Sequence, residues 1–134
     1  MITLLQSSGN PATDQAIIAV IAAFEQAFPG RVSGYYALGS YADGSAVATS
    51  DIDLTIIFTG AFEGAAERDA AQRMAITCAE ASPFELDIEL DDEAALAQGA
   101  SPQFMLGSAL LYGADIRERV SLVSLVEWTR DRMH

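Results

Sequence analysis

The sequence predicts an α+β domain in which helices pack on a mixed β-sheet. Three observations carry that expectation. Apolar residues recur at helical spacing in long stretches. Short strand-like segments are interleaved with those helices. One such segment is apolar on both faces, as a central strand of a covered sheet must be. At 134 residues and 51% apolar, the chain suits one domain, residues 1–134.

The elements follow in order. Pro11-Ala12-Thr13-Asp14 is a helix-start signal, and Ile17, Ile18, Ile21, Phe24 and Phe28 recur along one side. Pro29-Gly30 stops that helix. Val32–Leu38 reads as a short strand interrupted by Gly34, and Gly39 to Ser50 as a small, polar turn and loop. Asp51–Phe58 is the central strand. Ile52, Leu54, Ile56 and Phe58 share one face; Asp51, Asp53, Thr55 and Ile57 share the other. Glu63–Glu80 is an alanine-rich helix with Ala66, Ala70, Met74 and Cys78 along one side, broken at Ser82-Pro83. Phe84–Leu90 alternates, with Phe84, Leu86, Ile88 and Leu90 opposite Glu85, Asp87 and Glu89. Asp91-Asp92 caps a short helix through Gln98. Gln103–Leu111 reads as a further helix, entered at Ser101-Pro102 and closed by Tyr112-Gly113. A final helix is expected over Glu118–Met133, with Leu122, Leu125, Val126 and Trp128 as its apolar side. There is no internal repeat or low-complexity segment.

Composition excludes several functions. Nineteen acidic residues stand against seven basic ones, all arginine, for a net charge of −12. Such a chain repels polyanions, so direct nucleic-acid binding is not expected, whereas a cationic small molecule or a basic protein partner is attracted. No apolar run approaches the ~20 residues of a membrane span, and the first residues lack the basic start of a signal peptide. Cys78 is the only cysteine, so no intrachain disulfide can form. A cytoplasmic location is the expectation.

The chemistry-bearing stretch is Gly39-Ser40-Tyr41-Ala42-Asp43-Gly44-Ser45, followed by Ser50-Asp51-Ile52-Asp53-Leu54. Asp51 and Asp53 lie on one face of a strand, where their charges repel unless a divalent cation sits between them. The Gly-Ser turn upstream can present backbone N–H groups to a phosphate. Asp87 stands mid-strand between Leu86 and Ile88, and completes a three-carboxylate cluster if its strand lies beside Asp53. Glu85 has the same parity and is the alternative. By themselves these patterns also describe a solvated strand end and the polar face of an edge strand. An EF-hand at Asp51 fails, because its sixth position is Ile56 and its twelfth is Phe62. A phosphate-binding P-loop fails for want of Gly-Lys-Ser/Thr.

Gly39-Ser40, ten residues, then Asp51-Ile52-Asp53-Leu54 resembles the motif of the DNA polymerase β-type nucleotidyltransferase superfamily. Leu86-Asp87-Ile88-Glu89-Leu90 resembles the later strand that brings the third carboxylate. Leu111-Tyr112-Gly113-Ala114-Asp115-Ile116-Arg117 is similar to a segment common after it. The likeness is to the aminoglycoside adenylyltransferases and to minimal nucleotidyltransferase domains. It implies a nucleotidyltransferase-like mixed sheet, with Asp51, Asp53 and Asp87 as metal ligands and catalytic residues, and Glu85 as alternative base. Gly39, Ser40 and Ser50 would bind the nucleotide. Mg²⁺ is the implied cofactor and ATP the co-substrate. The implied reaction is transfer of a nucleoside monophosphate, AMP above all, to an acceptor hydroxyl on a cationic molecule such as an aminoglycoside. With no lysine in the chain, arginines such as Arg31 or Arg117 would meet triphosphate charge. The aminoglycoside enzymes carry a further helical domain after this one. The alternative is an antitoxin or partner subunit that binds or AMPylates a protein, or a degenerate domain.

Overall fold

The computed structural model describes residues 2–5, 7, 11–38, 52–82, 85–99, 104 and 107–118. The first helix, α1, spans Pro11–Ala27. Pro11 suits the first helical turn, where its missing N–H is not needed, and Asp14 favours the helix's positive end. Its buried side is Thr13, Ile17, Val20, Ile21 and Phe24. Gly30, with φ +74°, turns the chain into strand β1, Val32–Leu38. Strand β2 follows at Ile52–Phe58, then helix α2 at Gly64–Ala81. Strand β3 covers Leu86–Asp92, the short helix α3 Glu93–Gln98, and strand β4 Ala109–Gly113. A 3-10 turn, Ile116–Glu118, closes the described chain.

The sheet is mixed, in the order β3-β2-β1-β4. Strand β1 is antiparallel to both β2 and β4, and β2 is parallel to β3. The β2-α2-β3 unit is a crossover of the kind parallel strands require. On one face, Ile52, Leu54, Ile56 and Phe58 of β2 pack with Ile17, Val20, Ile21 and Phe24 of α1 and Ala71 and Ala75 of α2. On the other, a smaller cluster joins Tyr36, Ile57, Leu96, Phe104 and Ile116. Strand β2 is thus central and covered on both faces, as its composition predicts.

Three elements depart from the sequence reading. The segment read as the end of a helix over 103–111 contains β4 instead. Ala109 and Leu111 are buried while Leu110 and Tyr112 are half-buried, the period of a strand. An apolar run of this length fits either period, and the long-range edge of β1 decides it. Of 101–108, only Phe104, Gly107 and Ser108 are described, the first two helical. The β3 ladder runs to Asp92↔Phe58, two residues beyond the expected Leu90, and Glu85 lies just before it. Asp92 then caps α3 by accepting the Ala95 N–H at 2.8 Å, and also accepts the Phe62 N–H at 3.1 Å. Helix α2 is rotated from expectation: Ala71 and Ala75 are buried, whereas Ala66 and Ala70 face solvent. The helix expected over Glu118–Met133 lies, apart from Glu118, outside the described residues. No helix among the described residues is long and apolar enough to cross a membrane.

Candidate active site

The register of the sheet brings two predicted carboxylates together. Asp53 of β2 is the direct neighbour of Asp87 of β3, and on its other side lies Leu38, the last residue of β1. Adjacent strands run about 4.8 Å apart, so the two aspartates are next-door positions on one row. Both are exposed. Period-two alternation explains why. Ile52 and Leu54 flank Asp53 and are buried at 3% and 2%, so Asp53 must face away from the α1–α2 core. Leu86 and Ile88 impose the same orientation on Asp87 by packing against that core.

Rows further along the same face grow more apolar on β2. Next comes Tyr36–Thr55–Glu89, where Thr55 is buried, and then Ile57, fully buried beside Asp91. The carboxylate row therefore sits at the open end of a face whose other end is sealed by Leu96, Phe104 and Ile116. A residue on a central strand between two hydrogen-bonded neighbours is held rigidly, which suits a catalytic group. Glu85 is exposed, and its carbonyl accepts the Ile52 N–H at 2.8 Å.

Gly39, Ser40, Ser50 and Asp51 lie outside the described residues. Their places in the chain are still informative. Gly39 follows Leu38 and Asp51 precedes Ile52, so the Gly-Ser stretch is joined to the strand end that pairs with Asp53. Among the described residues, no group of three or more potential metal ligands is gathered. The Asp53–Asp87 pair supplies carboxylate oxygens, a donor set that suits a hard cation such as Mg²⁺ and no soft one.

Of the two arginines proposed from sequence, Arg31 lies far from this row. Arg31 precedes Val32, which pairs with Phe58 at the far end of the sheet, about 20 Å from the Leu38–Asp53 row. There it is bound to Glu67 by two hydrogen bonds of 3.0 and 2.9 Å, and to the Ala61 carbonyl at 2.8 Å. Arg117 grips Asp115 through two bonds of 2.8 Å and also reaches the Ser108 hydroxyl at 2.9 Å. Its guanidinium lies 5.2 Å from the centre of the Tyr36 ring.

Sequence reasoning missed the role of Tyr36 in this assembly. Its hydroxyl accepts the Ile116 N–H at 2.8 Å and contacts the Ala114 carbonyl and Asp115 Oδ1 at 3.2 and 3.3 Å. Burial above all pushes its pKa up to about 12, so it stays a neutral donor. Hydrogen bonding from Arg117 holds the Asp115 carboxyl below its usual range. This network fastens Ala114–Arg117 beneath the sheet face that carries the aspartates. The only sequence signal was the fully apolar surroundings of a tyrosine in mid-strand.

Comparison with known proteins agrees with this architecture. No curated protein matches the sequence. A toxin–antitoxin structure solved with AMP-PNP is similar with a TM-score of 0.57 at 18% identity, over 90% of each chain. A mutant of the MntA-HpeT toxin–antitoxin pair gives 0.54 at 19% identity, over 90% of this chain and 89% of the other. The complex of tri-AMPylated Shewanella oneidensis HEPN toxin with MNT antitoxin gives 0.52 at 18%, over 90% and 87%. At these identities the likeness establishes the fold. The family itself is established by sequence: the model of the nucleotidyltransferase domain matches residues 17–95, from the core of α1 through β1, β2, α2 and β3 into α3. The chain belongs to the nucleotidyltransferase domain family.

Proposed function

We propose that the protein transfers AMP from ATP, in a metal-dependent reaction, to a hydroxyl of a protein partner. The observation that carries the reading is the in-register pair Asp53–Asp87, at the strand end to which the Gly39-Ser40 turn is joined. Support for the acceptor comes from the similar structures, which are toxin–antitoxin complexes, one with AMP-PNP and one with an AMPylated toxin.

In this reading Asp51, Asp53 and Asp87 hold Mg²⁺, and Gly39, Ser40 and Ser50 line the triphosphate. When bound, the metal offsets phosphate charge and aligns the α-phosphate for in-line attack, with pyrophosphate leaving. Asp87, exposed on the outer strand, accepts the proton of the attacking hydroxyl, and Glu85 is the alternative acceptor of that proton. With Arg31 at the far end of the sheet and Arg117 bound to Asp115, backbone N–H groups of the Gly-Ser turn meet the remaining triphosphate charge. A second reading, transfer to a cationic small molecule, is favoured by the exposed acidic face of Asp53, Asp87 and Glu89.

The test uses ATP labelled at the α-phosphate. With Mg²⁺ and the proteins that co-purify with the chain, label should appear on a protein band. It should be lost by at least about a hundredfold in Asp53→Asn and in Asp87→Asn, both still folded by circular dichroism. Label on an aminoglycoside from a panel, and on no protein, favours the second reading. Absence of any transfer and of any Mg²⁺-dependent thermal shift with ATP overturns both.

A further inference from the structure

Among the described residues, one side of the sheet is open. At the β4 side, the Leu5 N–H donates to the Leu111 carbonyl at 2.8 Å, so the N-terminal segment covers that edge. At the other side, β3 pairs with β2 and, among the described residues, with no other strand. The Ile52 N–H donates to the Glu85 carbonyl, which fixes the parity of the ladder. Glu85, Asp87 and Glu89 turn their backbone groups toward β2; Leu86, Ile88 and Leu90 turn theirs outward. The last outward N–H, that of Asp92, is taken by Asp91 Oδ1 at 2.9 Å. Among the described residues the accessible edge is therefore Leu86–Leu90.

Beside this edge lies an open groove of about 300 Å³, lined by the apolar Ala75, Ile76, Ile88 and Leu90 together with Gln72. Ile76 is 58% exposed, one of two large apolar side chains so exposed among the described residues. Ile88 and Leu90 are only half-buried. On the opposite face of the same strand, Asp87 and Glu89 are exposed.

We propose that the β3 edge docks an extended segment of a basic partner protein in which apolar and cationic residues alternate. In a strand added to β3, every second side chain falls over the Ile76–Ile88–Leu90 groove. The intervening ones stand beside Asp87 and Glu89, where a positive charge is complementary. A second copy of this chain fits poorly: pairing β3 with itself sets the carboxylate rows of two chains of charge −12 against each other.

The test uses the full chain and a fluorescent peptide, Lys-Val-Lys-Val-Lys-Val-Lys. The control is a peptide of the same composition with its lysines grouped at one end. The alternating peptide should bind at physiological salt and slow hydrogen exchange at the Leu86, Ile88 and Leu90 amides. Ile76→Asp, at an exposed helix position, should weaken binding about tenfold although it adds negative charge. The proposal is overturned if the control binds equally well, which is attraction by charge alone. It is equally overturned if Ile76→Asp binds as tightly or tighter. Protection of the β3 amides in the free chain, from a second copy or from residues 119–134, would do the same. The readout is binding alone, so its failure is separable from failure of nucleotidyl transfer.

Discussion

Asp91 shows how one strand position can oppose the charge it carries. It lies on the same β3 face as Asp87, but beside the fully buried Ile57 rather than in solvent. Burial is the main cause that raises its pKa above 3.8; Asp92 adds to the rise, while the Asp92 N–H and Arg68 oppose it. A carboxyl whose folded pKa lies above its unfolded value favours the folded chain when protonated, and that contribution is lost as pH rises through the folded value. Asp115 has the opposite sign. Arg117 lowers its pKa below 3.8, so its contribution is full above that value and lost as pH falls through the folded pKa. Asp91→Asn keeps the oxygen that accepts the Asp92 N–H. It should therefore raise stability at pH 7 and change little at pH 3, as read by urea unfolding at both pH values. The orientation of Asp53 and Asp87 was legible at this scale, because Leu54 and Ile88 leave no other. The engagement of Arg31 and Arg117 was not, since their partners Glu67 and Ser108 are set by tertiary packing.

At the scale of elements, legibility followed the range of the contacts. Helix α1 carries its own punctuation, Pro11 at one end and Gly30 beyond the other, and strand β2 carries its own burial pattern. Strand β4, Ala109–Gly113, shows no polar–apolar alternation in its sequence. Its partner is β1, over seventy residues upstream in Tyr36↔Leu110, and that pairing is what makes 109–113 extended. The join between these strands is unusually close. Gly113 has φ +95°, and a Cβ there would sit 2.4 Å from the Ser33 carbonyl oxygen. The Ala114 N–H donates to that same oxygen at 2.8 Å. Gly113→Ala should cost about 3 kcal/mol or more, since it adds both backbone strain and a clash with main chain that cannot swing aside. Thermal unfolding measures the loss. The Tyr36–Ile116 hydrogen bond should fail with it, and the tyrosine fluorescence of the folded state should change accordingly.

For the whole molecule, part of the acidic balance is local. Six of the nine residues from Glu85 to Glu93 are acidic, and β3 with the residue on either side of it holds all of them close to one edge of the sheet. Salt screens such self-repulsion. The melting temperature should therefore rise by about 2–4 °C between about 10 mM and about 0.5 M NaCl, and a fall would show that ion pairs such as Arg31–Glu67 dominate instead. Fold class and the family were legible in the sequence because strand parity and the Gly-Ser and Asp-x-Asp spacing are local. Which residue of β3 stands opposite Asp53 was not, because register is a property of two strands and the helix between them.

That register has a consequence for fault tolerance. Strand β3 must keep Leu86, Ile88 and Leu90 on the core, so it can shift past β2 only in steps of two residues, about 6.6 Å. A step in either direction replaces Asp87 opposite Asp53 with Glu85 or with Glu89. An insertion or deletion of two residues near Ser82 would thus exchange one acid for a longer one and never remove the charge. The stripe of alternating acids is redundant coding: it preserves a carboxylate beside Asp53 through the very errors a sheet can make while still folding.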